Sequence, residues 1–228
     1  MIVLALDTAT PDTVVALLRA DGDAVEAADR RAPGERPRHT AQVLTLAHEV
    51  LERAGLSWRD VDRIAVGTGP GSFTGLRVGV ATARALALAA DAELAGVSTL
   101  RALALPAGRG DPARTVLAVV DARRGEAFAA AFRGARQVAA PAALPPGKLA
   151  ELSTENALAV GDGAVRFRAA LEGSGTEVPP DESPLHRLSA AAVAQLGAAA
   201  APAAPEAIVP EYLRLPDAEL ARRARRPN

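Results

Sequence analysis

The chain has no cysteine, which excludes disulfides, thiolate nucleophiles and cysteine-ligated zinc or iron–sulfur centres together. Its only lysine is Lys148, so no G-x-x-x-x-G-K-[ST] phosphate loop can be laid over its glycines. Of its 3 histidines, His39 and His48 stand nine apart and His186 is remote, so none has the i, i+4 spacing of a helical metal pair. Ser72 is preceded two positions earlier by Pro70, which removes the G-x-S-x-G context of a nucleophile elbow. A formal charge of −1 argues against broad electrostatic capture of a polyanion. Met1–Asp7 is too short and lacks the basic flank of a signal peptide. The longest apolar segment, Val78 to Ala90, carries Arg84 and falls short of the roughly 20 residues needed to span a bilayer. These absences leave the expectation of a cytoplasmic protein without membrane association. Its 228 residues are enough for one domain or two compact halves.

What is present suggests duplication. Val3-Leu-Ala-Leu-Asp7 resembles Val116-Leu-Ala-Val-Val-Asp121. Each apolar run ends at an aspartate, turns, and resumes at Val14–Leu18 or Ala127–Phe132, as a β-hairpin does. The first half continues with a strand near Ala24–Ala28, a helix from Thr40 to Ala54 ended by Gly55, a strand at 62–66, a helix over 72–90, a strand at Leu94–Val97 and a short helix from Ser98. This is the strand and helix order of an RNase H-like lobe, α/β with a mixed sheet. Pro106–Pro112 marks the boundary between an N-terminal lobe, 1–105, and a smaller C-terminal lobe, 113–205. The second lobe reads as the hairpin 115–133, helices near 146–152, 164–171 and 189–200, and a strand at Ala157–Val160. An extension, 206–228, ends in the basic run 222–226, of the kind that is usually solvated.

The most constrained stretch is Ile64–Val80. A short apolar run breaks at Gly67, Gly69, Pro70 and Gly71, and Ser72 stands where a helix N-cap belongs. In the helix that follows, only Arg77 and Arg84 are charged, while Leu76, Val78, Val80, Leu86 and Leu88 point in several directions. A helix with one buried face shows a single apolar stripe. Gly75, Gly79 and Ala83 form a small-residue line that lets another backbone approach. The preceding helix also exceeds one stripe, through Val43, Leu44, Leu46, Ala47, Val50 and Leu51. One reading of the second helix is a central helix wrapped by its own sheet and neighbours; the reading preferred is a subunit interface built by both helices: Val43, Leu44, Ala47, Leu51, Phe73, Gly75, Leu76, Gly79, Val80 and Ala83, with Arg77 and Arg84 at its rim. Leu76→Asp or Val80→Asp should then abolish pairing and leave the monomer folded.

Catalytic signal is weak by comparison. Asp7 and Asp121 end strands in hairpins, where actin-like kinases and ATPases place acids that act on magnesium and water. The alternative for both is an Asx turn. The run Ala159-Val-Gly-Asp-Gly-Ala164 lies where such folds put a nucleotide-binding turn, without an extended glycine loop.

Leu6-Asp-Thr-Ala-Thr10, Gly69-Pro-Gly-Ser-Phe-Thr-Gly-Leu-Arg77, Gly96-Val-Ser-Thr-Leu100, Asp121-Ala-Arg-Arg-Gly-Glu126 and Tyr212-Leu-Arg214 resemble the TsaB (YeaZ) family over nearly the whole chain. The resemblance implies two RNase H-like lobes of the actin-like ATPase fold, the second reduced. It implies a non-catalytic dimerization subunit in the making of threonylcarbamoyladenosine in tRNA, next to the anticodon. It pairs with a TsaD-like catalytic subunit, is joined by a TsaE-like ATPase, forms homodimers when alone, and meets tRNA only indirectly. Thr99 and Leu103 align with two metal-binding histidines of the catalytic sister family, and neither binds metal as imidazole does. No catalytic residue, metal or resident cofactor is expected, and nucleotide binding only weakly or at the complex interface. The rival expectation is an ATP-binding enzyme of the actin-like ATPase and kinase superfamily, with Asp7 and Asp121 as its acids.

Overall fold

The computed structural model describes residues 1–32, 34–154 and 156–214. The basic run 222–226 and the extension past 214 lie outside the described residues. The first sheet has the order β3-β2-β1-β4-β5, from β1 (Val3–Asp7), β2 (Thr13–Leu18), β3 (Ala24–Asp29), β4 (Arg63–Gly69) and β5 (Glu93–Ser98). β1, β2 and β3 pair antiparallel, and β4 and β5 add in parallel. The second sheet is β8-β7-β6-β9, from β6 (Thr115–Arg123), β7 (Glu126–Arg133), β8 (Arg136–Leu144) and β9 (Leu158–Val160). Its antiparallel meander and parallel fourth strand repeat the first sheet without a fifth strand. β1 and β6, the two similar segments, are equivalent.

The inner strands of the first sheet are apolar without alternation because both faces are covered. Val14, Ala16 and Leu18 of β2 face one core, and Val15 and Leu17 face another. Leu4, Leu6, Leu17, Ile64 and Val66 carry α1 (His39–Ala54) and α2 (Phe73–Ala90). The opposite face, with Ala5, Ala16 and Ala65, belongs to a central core shared with α3 (Thr99–Ala107), the second sheet and α7 (Ala190–Ala199). Small residues on that face let a helix come close. A Cβ on Gly197 of α7 would lie 2.2 Å from Ala65 Cβ. Arg63, buried at the start of β4, donates to the carbonyls of Gly197, Ala198 and Ala200 at 2.9–3.0 Å and pairs with Glu93. The far face of the second sheet packs α4 (Pro146–Leu149), α5 (Asp162–Arg166) and α6 (Arg168–Glu172) through Leu149, Ala164 and Leu171.

Several boundaries differ from expectation. α7 was assigned to the 113–205 lobe, but it packs on the first sheet, where Gly197 and Arg63 fix it. β4 continues through Gly67 to Gly69, with a register shift there. The helix expected over 164–171 breaks at Phe167 into α5 and α6. β8 is a strand beyond the expected elements, since its alanines and Pro141 carry no strand pattern. By length and composition α2 is the one described helix able to cross a membrane, although Gly75, Leu76, Gly79, Val80, Ala83 and Ala87 are buried within the lobe.

Candidate functional site

Between the lobes lies a cleft with two adjoining parts of about 510 and 550 Å³. Thr10 and Pro11 of the β1–β2 turn face Asp121, Arg123 and Asp162 across it. The aspartates ending β1 and β6 each brace their own turn. Asp7 Oδ1 accepts from Ala9 N at 2.6 Å, and Asp121 Oδ1 from Arg123 N at 2.8 Å. Beyond that they differ. Asp7 is wholly buried, and its Oδ2 accepts from Thr99 Oγ1 at 2.7 Å. The Thr99 oxygen accepts in turn from Gly69 N at 3.2 Å. A Cβ at Gly67 would sit 1.8 Å from Asp7 Oδ2, so the carboxylate is seated in the space a side chain would fill. Burial pushes Asp7 up to about 6, against the lowering effect of its two hydrogen bonds. This carboxylate points at Gly67 and Thr99, not into the cleft.

Asp121 does line the cleft, held by Arg166 at 3.1 Å and Arg123 at 3.4 Å. Asp162 Oδ1 accepts from Asp121 N at 3.0 Å, and burial raises the Asp162 carboxyl above its ordinary range. The turn carrying Asp162 presses on β6: a Cβ at Gly161 would fall 2.1 Å from the Val119 carbonyl. Its glycines serve close packing. Among the described residues no group of three or more His, Cys, Asp or Glu could hold a metal. Thr99 is spent on Asp7, and Leu103 is in the central core.

The second region is the outside of α1 and α2, which lie side by side on the first sheet. Ser72 caps α2 by accepting from Gly75 N at 3.3 Å. The small-residue line serves the lobe itself. A Cβ at Gly75 would lie 1.9 Å from the Thr8 carbonyl, and one at Gly79 2.4 Å from Thr8 Oγ1. The backbone that approaches is β1's own continuation, bonded by Thr8 Oγ1 to Gly75 O at 2.7 Å. The sequence-based interface is corrected accordingly. Val43, Ala47, Leu51, Gly75, Leu76, Gly79, Val80 and Ala83 are buried in the lobe, spent on its own sheet and core. Of the twelve residues, Leu44 and Arg77 are exposed, and Phe73 and Arg84 are partly so.

The outward face of α2 consists of other residues. Thr74, Val78, Ala81, Ala85, Leu88 and Ala89 are exposed or partly exposed, and Leu88 reaches 84%. Beside it Leu44 of α1 is 52% exposed. Between Arg77 and Asp91 the one charged side chain of α2 is Arg84, partly exposed at the flank of this face. Sequence reasoning missed it because both faces of α2 are apolar. The signal was available: glycines at 75 and 79 mark the side toward the sheet, so 81 and 88 lie opposite.

The two arginines are not a free rim. Arg84 Nη2 donates to the Ile208 carbonyl at 2.6 Å. The Arg77 guanidinium lies 4.0 Å over the Phe73 ring, and its Nε donates to Tyr212 OH at 3.2 Å. Both hold residues 205–214 along the flank of α2.

A profile of the TsaD family, described as tRNA N6-adenosine threonylcarbamoyltransferase, matches residues 35–179. The tRNA threonylcarbamoyladenosine biosynthesis protein TsaB of Escherichia coli is 43% identical over 133 residues, 58% of this chain and 55% of its own length. The chain thus spans about half the length of the curated TsaB relatives it matches. The uncharacterized protein Rv3421c of Mycobacterium tuberculosis is 36% identical over 222 residues, 95% of this chain and 93% of its own. The solved structure of YeaZ from Pseudomonas aeruginosa superposes with a TM-score of 0.78 at 28% identity, covering 93% of this chain and 99% of that one. Two sheets of matching topology around a shared core define an α/β protein of the actin-like ATPase fold, with two RNase H-like lobes. Within that class, the chain belongs to the TsaB/YeaZ family.

Proposed function

We infer that this chain is a non-catalytic dimerization subunit of the cytoplasmic machinery that makes threonylcarbamoyladenosine in tRNA. It pairs with and activates a TsaD-like catalytic relative through the outer face of α1 and α2. It forms a homodimer when alone, is joined by a TsaE-like ATPase in the complex, and meets tRNA only through its partners. The observation that carries this reading is the mostly apolar outward face of α2, Val78, Ala81, Ala85, Leu88 and Ala89, flanked by Arg84 and beside a second exposed leucine on α1. An 18-residue helix is about 27 Å long and about 10 Å wide, so α1 and α2 together offer roughly 500 Å². Two such faces bury about 1,000 Å², the lower edge of a stable interface. A partner resting there gains affinity by removing apolar surface from water, at about 25 cal/mol per Å² before the cost of association.

The test is a pair of substitutions read by sedimentation. Ala85→Glu puts a charge at the centre of the face, leaves the fold intact, and should abolish both self-association and capture of a TsaD-like subunit. Leu76→Asp, buried in the lobe, should unfold the chain instead. Unchanged association of a folded Ala85→Glu variant would sink the assignment. The rival, an ATP-using enzyme, rests on the acids of the cleft. Calorimetry with Mg-ATP decides it, since micromolar binding lost in Asp121→Ala would favour the enzyme.

A further inference from the structure

Residues 200–214 leave α7 and cross the exposed edge of the first sheet. Ala203 N donates to Leu94 O at 2.9 Å and Glu211 N to Thr68 O at 2.7 Å. Between them Ile208 is buried against the outer core, under Arg84. This part of the segment is anchored. Its end differs: Tyr212 is 42% exposed, stacks on Phe73 at 4.9 Å between centroids and accepts from Arg77. Two residues on, Arg214 pairs with Glu126 of the second lobe at 3.0 Å. Arg77 and Phe73 begin the outward face of α2, whereas Glu126 opens β7 just after Asp121 and Arg123, the end of β6, which wall the cleft. Side-chain contacts at Tyr212 and at Arg214, joined by the backbone between them, therefore link the helix face to the opposite lobe.

We propose that residues 205–214 are a strap that couples self-association through α2 to closure of the inter-lobe cleft. The proposal rests on the helix-face reading above. Its occupant is a second copy of this chain, because a mostly apolar face of Ala81, Ala85 and Leu88 can meet itself about a two-fold axis, and two such faces reach the area a stable pair needs. The strap is anchored by Ile208 and by Leu213, which packs against the central core; at its tip the Arg214–Glu126 pair is part-buried, and the Arg77–Tyr212 contact alone is exposed to water and salt, which weaken it. A second copy seated on α2 covers Arg77 and Phe73. Cation–π contacts and charge-assisted hydrogen bonds strengthen when desolvated. Association thus tightens the tip, and through Arg214 it holds Glu126 and the cleft wall in place. Coupling is reciprocal, so whatever loosens the tip weakens association by the same factor.

The full-length chain is compared at dilute and associating concentrations by sedimentation and by amide hydrogen exchange over residues 122–128. In the wild type, association should slow exchange there by about five-fold, the factor that one modest contact supplies. Glu126→Gln and Tyr212→Phe remove one contact each without disturbing the core. Each should weaken the dimer Kd by about the same five-fold and abolish the concentration-dependent slowing. Unchanged Kd and exchange in both variants would overturn the coupling. Ala85→Glu separates the two readings. If it abolishes association while the strap variants behave as wild type, only the coupling is overturned. If association survives it, the helix-face reading fails and the strap proposal falls with it.

Discussion

Asp7 ends β1 at the position where the rival reading needs a solvent-accessible acid for magnesium, and the structure gives it another property that can be measured. Its carboxyl is buried completely and raised from 3.8 to about 6. A shift of about two units corresponds to about 3 kcal/mol between the two protonation states. The folded pKa lies above the unfolded one, so folding takes up a proton in this window. The stabilising contribution is complete below pH 3.8 and is lost as pH rises through about 6. Asp7→Asn cannot ionise, keeps an acceptor for Ala9 N, and presents a donor to the Thr99 hydroxyl. Urea titrations of both proteins between pH 3.5 and 8 isolate the effect as a difference. Relative to Asp7→Asn, the wild type should lose about 3 kcal/mol across pH 4–7 and be flat above. Parallel curves would show that Asp7 ionises as freely as in water, and the buried seat against Gly67 would be refuted.

His39 should act with the opposite sign. Burial lowers its pKa below 6.5, while Asp29 and Asp12 oppose the shift, so its contribution is present above pH 6.5 and is lost on acidification. His39→Asn keeps a polar partner for Thr13 Oγ1, 2.8 Å from the His39 ring nitrogen, and should flatten the acid limb between pH 7 and 5. An unchanged limb would place the histidine in water. Gly197→Ala tests the seating of α7 by the sign of a melting-temperature change. Overpacking against Ala65 costs about 1–3 kcal/mol, whereas a freely exposed helix gains about 1 kcal/mol from the same change. A rise in Tm would mean α7 does not lie on the first sheet. Arg63→Met leaves the last carbonyls of α7 without their donor in a buried setting and should destabilise by about 2–4 kcal/mol. A loss under 1 kcal/mol in denaturant titrations would remove Arg63 as the clasp between α7 and β4.

Local chemistry was legible because it depends on near neighbours. Ser72 and Ser98 cap α2 and α3, Gly55 closes α1 in the left-handed region, and Asp7 and Asp121 each accept the amide two residues on. The duplicated hairpins were equally readable, since a short continuous apolar run ended by an aspartate and a turn specifies the same strand and turn wherever it occurs. Residues with two consistent readings were not. Gly75 and Gly79 signal close approach, and a one-dimensional pattern does not say whether the approaching backbone is β1's continuation or another chain. Arg77 and Arg84 share a helix face, yet their partners lie 135 and 124 residues away.

The sequence by itself determined two α/β lobes, their caps and turns, a family, and a pair of helices with more apolar surface than one face needs. Only the tertiary structure decided which apolar residues are spent inside. Burial is a property of what packs opposite: the sheet takes Leu76, Val80 and Ala83, and leaves Ala81, Ala85 and Leu88 to water. The same holds for α7, packed through Gly197 on Ala65, and for the strap, held by Arg77, Arg84 and Glu126, since contacts between residues far apart in the chain leave no periodic trace in it.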